Sequence, residues 1–249
     1  MTKTSSKAVL DISVVVPVHN ESGAIEQLVR EISAALQGYA FEIIVVDDLS
    51  KDNTLQVLQA AKTKFPELRV FAHQYNAGQS AAIISGVRAA RAPIIGTLDG
   101  DGQNDPKDLP KLLRALTRVD APNGLAMVAG MRLKRQDSAA KKYASKIANA
   151  VRQFLLNDDA IDSGCGIKVV KRDLFLNLPY FDHMHRYMAA LIKQSGYSVE
   201  FLEVHHRARE TGASKYTNFG RLLAALSDLF GVIWLSTRHR NSGKLSEIK

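Results

Sequence analysis

Ile12-Ser-Val-Val-Val-Pro17 is an apolar, β-branched run that ends at the polar turn His19-Asn-Glu-Ser-Gly23. Because successive side chains of a strand point to opposite faces, a run that is apolar throughout predicts a strand buried on both faces, which is typical of parallel sheets. Residues 24–36 then carry apolar side chains at the spacing of one helix face. The chain thus begins with a strand, a polar turn and a helix.

The same unit recurs through the first half of the chain. We predict further strands at 41–46, 68–72, 93–98 and 125–130, and helices at 54–64, 79–90 and 108–116. Strands that alternate with helices predict βαβ units and a parallel sheet. The fold class is therefore α/β, with a Rossmann-like, mostly parallel central sheet between flanking helices.

The second half of the chain has a less regular pattern. We predict a helix at 139–156, a strand at 161–170, a helix at 184–195 and a strand at 198–205. A strongly apolar, amphipathic helix is predicted at 219–235. We divide the chain into a flexible N-terminus (1–10), one α/β domain (11–218) and a C-terminal apolar helix with a basic tail (219–249).

Charge and composition narrow the function. The 249 residues carry a formal net charge of +8, which implies anionic partners such as nucleotide phosphates, anionic lipid or nucleic acid. A basic strand face with interleaved aromatic residues is absent, so we expect no nucleic acid partner. The single cysteine, Cys165, excludes an internal disulfide framework and fits a reducing compartment. With no secretory signal and no long apolar run, we expect a cytoplasmic protein.

Polar side chains follow three of the predicted strands at the point where each strand ends. They are Asn20, Glu21, Asp47, Asp48, Asp99 and Asp101. Open α/β sheets bind ligands beyond the carboxyl ends of their strands. In Asp99-Gly100-Asp101, the glycine lets two carboxylates reach one point, and Mg²⁺ and Mn²⁺ prefer oxygen ligands of this kind. The sequence therefore predicts a divalent metal site at this edge of the sheet.

Other nucleotide-binding and metal-binding motifs do not fit. A dinucleotide-binding fold requires a glycine-rich turn after its first strand, and a P-loop requires a Gly-Lys-Ser/Thr element; neither pattern occurs. The stretch Asp-Gly-Asp-Gly is also found in calcium loops, but Pro110 stands where an EF-hand needs glutamate. A sugar-nucleotide nucleotidyltransferase would require a glycine-rich, lysine-bearing opening loop, which the turn at 19–23 does not supply.

Five motifs, in this order along the chain, resemble those of the family-2 glycosyltransferases with the GT-A fold. The match extends over residues 11–236 and is most similar to the dolichol- and polyprenyl-phosphate glycosyltransferases, of the dolichol-phosphate mannose synthase type. The motifs are Val16-Pro-Val-His-Asn-Glu21, Val45-Val-Asp-Asp-Leu-Ser50, Asn76-Ala-Gly-Gln-Ser80, Leu98-Asp-Gly-Asp-Gly-Gln-Asn-Asp-Pro106 and Arg209-Glu-Thr-Gly-Ala-Ser-Lys-Tyr216. Position 19 departs from the family, which often has Tyr there, so we assign His19 no catalytic role.

This resemblance implies a nucleotide pocket at the ends of the first two strands. The residues that would line it are Pro17, Val18, Asn20, Glu21, Asp47 and Asp48. Asp48 would face the base, and Asp47 would brace the same pocket. Asp99 would contact the ribose or the sugar and contribute to the metal site.

The resemblance also implies residues for metal and phosphate binding. Asp101 and Gln103 would hold Mg²⁺ or Mn²⁺. Arg132 would lie near the phosphates, and Arg209, Ser214 and Lys215 would belong to a loop that closes over them. Arg offers a bidentate fork and Lys a point charge for phosphate.

The activity that follows is inverting transfer of a sugar from a UDP- or GDP-sugar to a polyprenyl phosphate. Because a phosphate monoester is already ionised at neutral pH, we expect no indispensable base; Asp99 and Asp162 are the candidates otherwise. The alternative is transfer to a saccharide hydroxyl in cell-surface polysaccharide synthesis, which would require a base. His185-Arg186-Tyr187 lies where relatives place an acceptor-side helix, and its role stays open.

The C-terminal helix bears on the acceptor. Its apolar residues recur at helical spacing up to Trp234, and Arg238 and Arg240 follow. An apolar helix bounded by Trp and basic residues is suited to a membrane interface, which predicts a peripheral protein on the cytoplasmic face of the membrane. A core helix or a homodimer contact would give the same pattern.

Overall fold

A computed structural model describes residues 9–132, 152–153, 155–156, 158, 160, 162–207 and 218–238 of the chain. For residues 218–226 it describes the backbone alone. The predicted helix at 139–156 lies for the most part outside these residues, as do Arg209, Ser214 and Lys215. The three-part division of the chain stays a prediction.

Strands and helices alternate through the first half of the molecule, as predicted. The elements are β1 (Ile12–Val18), α1 (Ile25–Ala35), β2 (Phe41–Asp47), α2 (Thr54–Ala61), β3 (Leu68–Ala72), α3 (Gln79–Ala89), β4 (Ile94–Thr97), α4 (Leu109–Thr117) and β5 (Leu125–Met131). A 3₁₀ turn, Pro106–Asp108, precedes α4. The remaining described elements are β6 (Lys168–Lys171), α5 (Arg172–Asn177), α6 (Met188–Gln194), β7 (Ser198–Glu203) and α7 (Asn218–Arg238).

The strands of the described chain form one sheet in the order β3-β2-β1-β4-β6-β5-β7. All neighbouring pairs are parallel except that β6 runs antiparallel between β4 and β5. The expectation of an α/β fold with a mostly parallel central sheet is confirmed. Because β1, β2 and β4 are parallel and adjacent, their carboxyl ends meet at one edge of the sheet.

The structure corrects two sequence predictions in the second half. The strand predicted at 161–170 is confined to Lys168–Lys171, because a turn at Ser163 and Gly164 precedes it. The helix predicted at 184–195 is divided into a 3₁₀ turn, Met184–Arg186, and α6, because Tyr187 between them departs from helical geometry (φ −111°, ψ 9°). The short helix α5 was not predicted; six residues are too few to show a helical period.

The sheet has a hydrophobic core on each face. Alternate residues of β1 enter opposite cores: Val15 packs in one, and Val14 and Val16 pack in the other. All of β1 is buried, which confirms the prediction from its mostly apolar sequence. Within the described residues, no helix is both long enough and apolar enough to cross a membrane.

A glycine lets α3 approach β1 closely. A Cβ at Gly86 would lie 2.4 Å from Val15 Cγ1 and 3.3 Å from Val46 Cγ2. We therefore expect Gly86→Ala to lower the free energy of unfolding by about 1–3 kcal/mol through overpacking, although alanine is the better helix former. Urea unfolding followed by circular dichroism measures this change.

The control is Gly231→Ala in α7, where an added Cβ would have nothing within 4 Å. This variant should be unchanged or slightly stabilised. Equal stability changes in the two variants would contradict close packing at Gly86.

Candidate active site

Two turns at the ends of β1 and β2 are joined by hydrogen bonds. The backbone N–H of Asn20 donates to Ser50 Oγ (2.8 Å), and the N–H of Lys51 donates to Asn20 Oδ1 (2.6 Å). The Ser50 hydroxyl donates to the carboxylate of Asp47, which also accepts the Ser50 N–H (3.2 Å). Asp47 therefore braces the turn that follows β2.

Asp48 is buried and fixes a second loop. Its carboxylate accepts the backbone N–H groups of Ala77 (2.9 Å) and Gly78 (2.8 Å) and lies 2.8 Å from His73 Nδ1. Its main-chain carbonyl accepts Asn76 Nδ2 (2.9 Å). The carboxylate is thus engaged in holding the loop before α3, and its contact with a nucleotide base stays a prediction.

His19 and Glu21 also lie at this edge. His19 Nδ1 is 2.8 Å from the carbonyl oxygen of Asp48; because a carbonyl only accepts, this ring nitrogen carries the hydrogen. The backbone N–H of Glu21 donates to Thr54 Oγ1 (2.9 Å). His19 is thus a hydrogen-bonded turn histidine, and its exclusion from the catalytic residues stays a prediction.

Asp99, like Asp48, is hydrogen-bonded to the start of α3. Gln79 Nε2 donates to Asp99 Oδ1 (2.8 Å), and Gly78, its neighbour in the chain, donates to Asp48. The stretch Asp99–Asp101 also packs on the end of β1, because a Cβ at Gly100 would lie 2.7 Å from Val18 Cγ1. The sequence therefore placed Asp48 and Asp99 correctly at one edge of the sheet.

Asp101 and Gln103 lie on the partly exposed turn after Asp99. Asp101 Oδ1 accepts the backbone N–H of Gln103 (3.2 Å), and Gly102 between them has a positive φ of 73°. The part of the chain that the structure describes contains no group of three or more His, Cys, Asp or Glu side chains that could hold a metal ion. The side chains on this stretch that carry oxygen include the carboxylates of Asp99 and Asp101 and the amide of Gln103.

Arg132 and Asp162 form a bidentate ion pair at the end of β5. Arg132 Nε and Nη2 donate to the two carboxylate oxygens of Asp162 at 2.6 Å and 2.8 Å, and the Arg132 N–H adds a third contact (3.2 Å). The hydrogen bonds to Asp162 raise the pKa of Arg132. This pair ties the loop after residue 160 to the sheet, and it could not be predicted because it joins residues 30 positions apart.

Acidic and basic groups meet around Asp99. Burial, and then the charge of Asp101, raise the pKa of Asp99, whereas Lys168 and Arg132 oppose the shift. Lys168 is itself buried, its ammonium donates to the carbonyl oxygen of Cys165, and burial lowers its pKa. Lys168 was not predicted from the sequence as a site residue. Its position in an apolar strand does not indicate that its ammonium is buried near Asp99.

The acceptor-side segment proposed from the sequence contacts α3. His185 Nδ1 lies 2.8 Å from Ser80 Oγ, and burial is the main reason that the pKa of His185 falls well below its usual value. This histidine is therefore neutral at pH 7. Ser80 is the last residue of the motif Asn76–Ser80. The contact therefore joins this motif to the segment His185-Arg186-Tyr187, which the sequence did not predict.

The sequence matches the family described as Glycosyl transferase family 2 over residues 13–178. That range is most of the chain, and its motifs form the polar edge described above. The chain belongs to this family, and it is a transferase.

Two curated relatives are similar to this chain over most of its length. The chain is 35% identical over 233 residues to dodecaprenyl-phosphate galacturonate synthase of Rhizobium johnstonii, covering 90% of this chain and 67% of that protein. It is 33% identical to undecaprenyl-phosphate 4-deoxy-4-formamido-L-arabinose transferase of Pseudomonas fluorescens, covering 88% of this chain and 63% of that protein. The chain thus spans about two thirds of the length of these relatives.

Among solved structures, the fold is similar to glucosyl-3-phosphoglycerate synthase of Mycobacterium tuberculosis. A complex of that enzyme with Mn²⁺, UDP-glucose and phosphoglyceric acid superposes with a TM-score of 0.70 at 18% identity, covering 94% of this chain and 82% of that one. A complex with Mg²⁺ and UDP has a TM-score of 0.69. At this identity the likeness shows the fold alone, which is the GT-A fold that the sequence predicts.

The partly buried His185 makes stability depend on pH. In the unfolded chain this residue binds a proton as the pH falls through about 6.5, whereas its folded pKa is well below that value. The unfolded state then binds more protons, so the free energy of unfolding decreases with falling pH, by up to about 1.4 kcal/mol per pH unit. Urea unfolding between pH 7.5 and 5.5 measures the slope.

His185→Gln should reduce this slope. The control is Ser80→Ala, which removes the hydrogen-bond partner of His185 but retains the titrating ring, and should keep the slope. A slope of wild-type size in His185→Gln would show that other groups cause the pH dependence.

Proposed function

We propose that this chain is an inverting glycosyltransferase that transfers a sugar from a nucleotide-diphosphate sugar to a polyprenyl phosphate. One observation carries the proposal. The carboxylates of Asp48 and Asp99 accept hydrogen bonds from the consecutive residues Gly78 and Gln79, so both acids lie at the carboxyl edge of a family-2 sheet. Two relatives of this chain carry dodecaprenyl phosphate or undecaprenyl phosphate in their names, which supports this acceptor.

The donor nucleotide occupies the turns after β1 and β2. The residues that line its pocket are Pro17, Val18, Asn20, Glu21, Asp47 and Asp48. The bonds that join Asn20 to the Ser50–Lys51 turn support this assignment, since they hold two turns in one arrangement before any ligand binds. Such preorganisation reduces the cost of ordering on binding. The donor is a UDP- or GDP-sugar.

Asp101 and Gln103, with Asp99 beside them, hold Mg²⁺ or Mn²⁺. The fit rests on the donor set, which consists of oxygens on a partly exposed turn, and on the raised pKa of Asp99. Burial, and then the charge of Asp101, cause that shift, and a divalent cation would favour the ionised carboxylate. When bound, the metal neutralises charge on the departing diphosphate.

The acceptor phosphate attacks the anomeric carbon from the side opposite the diphosphate. A bond forms between the acceptor oxygen and that carbon as the bond to the diphosphate oxygen breaks, so the configuration inverts. In this proposal Arg132 contacts the phosphates, as do Arg209, Ser214 and Lys215, which lie outside the described residues. Both carboxylate oxygens of Asp162 accept hydrogen bonds from Arg132, which supports a mechanism without an indispensable base.

The outer face of α7 supports contact with a membrane. Leu229 and Val232 are buried against the core, whereas Phe230 and Trp234 are 68% and 59% exposed. Arg238 lies over the Trp234 ring at 5.9 Å. An exposed aromatic face next to a basic residue is suited to the interface of an anionic membrane. The protein is thus peripheral on the cytoplasmic face; a homodimer through α7 is the competing arrangement.

The donor can be identified by a thermal-shift panel of nucleotide diphosphates with Mn²⁺ or Mg²⁺. A ligand that binds the folded state alone raises the melting temperature. We expect UDP or GDP to raise it in a metal-dependent way. The preferred nucleotide then selects the labelled sugar donor for the transfer assay.

We expect Asp101→Ala to lower transfer to an undecaprenyl phosphate acceptor by about 100-fold or more, because a missing transition-state charge contact costs this much. Extraction of labelled product into organic solvent measures transfer. Asp173→Ala is the control, since the Asp173 side chain is 95% exposed. An Asp101→Ala variant with most of its activity would end the metal assignment. Wild-type product that stays with a water-soluble saccharide would favour the alternative acceptor, a saccharide hydroxyl.

The double variant Phe230→Ser, Trp234→Ser should lose flotation with vesicles of phosphatidylcholine and phosphatidylglycerol. Each replacement removes exposed apolar area that would enter the interface. Val119→Ser is the matched control, because Val119 is fully exposed elsewhere on the surface. Unchanged flotation of the double variant would contradict the membrane role of α7.

A further inference from the structure

Asn104 is a buried residue that the proposed function does not use. It follows Gln103 and is 2% exposed. Its backbone is held by an isolated antiparallel bridge to His206, and the Arg207 N–H donates to the adjacent Gln103 carbonyl (2.9 Å). The side chain therefore extends inward from a fixed position rather than from a loose turn.

The side-chain oxygen of Asn104 lies close to the carboxylate of Asp99. A Cβ at Gly166 would be 2.2 Å from Asp99 Oδ2 and 2.7 Å from Asn104 Oδ1, so both oxygens border the space that this glycine leaves. Within the described chain, Asn104 Oδ1 has no hydrogen-bond partner. A buried acceptor without a donor is costly, and a second acceptor beside it adds repulsion.

The other end of the same amide faces Cys165. Asn104 Nδ2 lies 4.0 Å from Cys165 Sγ, a long contact for a donor. Burial raises the pKa of the Cys165 thiol, so the sulfur carries a hydrogen at neutral pH and can donate. In this orientation the oxygen end of the amide faces a carboxylate, and the nitrogen end makes only a long hydrogen bond to sulfur, a weak acceptor.

A half-turn of the amide matches both ends, because its oxygen and nitrogen ends have nearly the same shape. We propose that Asn104 is a positioning residue whose amide N–H donates to Asp99 Oδ2 and whose oxygen accepts from the Cys165 thiol. Gln79 Nε2 already donates to Asp99 Oδ1. Amides then hold both oxygens of Asp99 and fix the direction in which this carboxylate meets the donor.

The proposal rests on the proposed function only for the role of Asp99; the contact itself can be tested without substrate. The test is a double-mutant cycle of Asn104→Asp, Asp99→Asn and the double variant, measured by urea unfolding in metal-free buffer with EDTA. Asn104→Asp places two carboxylates in contact and should destabilise the protein. Asp99→Asn in that background restores an amide–carboxylate pair.

We expect the double variant to be more stable than the sum of the two single-variant stability changes predicts. The coupling should be about tenfold in the unfolding equilibrium constant. Asn177→Asp, on an exposed helix end, controls for the added charge. Additive effects would show that Asn104 and Asp99 do not interact and would overturn the proposal.

A second measurement separates positioning from packing. Asn104→Leu keeps the shape but removes both hydrogen bonds, so kcat should fall about tenfold to 100-fold, the size expected for a hydrogen bond to a charged group. The KM for the nucleotide sugar should change little. Cys165→Ser, which keeps a donor, should retain activity better than Cys165→Ala. A rise in KM without loss of kcat would contradict the positioning role.

The main competing explanation is that Asn104 Oδ1 ligates the metal. Calorimetry of Mn²⁺ binding to Asn104→Asp in the presence of UDP or GDP distinguishes metal ligation from the positioning role. A ligand oxygen is retained in Asn104→Asp, so tight binding together with wild-type activity would overturn the proposal. If the wild type transfers no sugar while the stability cycle shows coupling, the proposed function fails and the contact stands.

Discussion

The candidate site depends on the hydrogen bonds of the Asp48 carboxylate. Taking a carboxylate out of water is unfavourable unless it is hydrogen-bonded, and here two backbone N–H groups and His73 surround it. Those N–H groups belong to the loop that starts α3, where the positive end of a helix dipole favours a negative charge. The end of β2 and the beginning of α3 are therefore held together, and Gln79 is brought to Asp99.

Glycines determine how closely the other loops approach this point. Gly100 lets the turn after β4 lie on the end of β1, and Gly166 leaves room for the carboxylate of Asp99 beside the β6 strand. At either position a Cβ would come within 3 Å of a neighbouring atom, a contact that real Cβ atoms do not make without a shift. The absence of a side chain at these two positions is therefore a requirement of the site, as the acids are.

Much of the fold could be predicted from the sequence because local patterns determine it. The apolar run of β1 indicates burial on both faces, and the strand–helix alternation indicates a parallel sheet. The antiparallel strand β6 was harder, because its pairing of Lys168 with Thr97 joins residues distant in the chain. Asp99 and Asp101 could be predicted as candidate site residues because they share one local motif. The Arg132–Asp162 pair, Lys168 and Asn104 could not, because their contacts join residues that are distant in the chain.

The balance of charge around Asp99 explains why both acids and buried cations are present. With acids alone, burial would favour protonation of Asp99, which would then no longer attract a cation. Lys168 and Arg132 oppose that shift, and both are themselves held, Lys168 by the Cys165 carbonyl and Arg132 by Asp162. Because each cation has its own partner, neither neutralises Asp99 through a direct ion pair among the described residues. Lys168 and Arg132 favour the ionised carboxylate from a distance, against the effect of burial, and leave its oxygens to a ligand and to the amides that orient them.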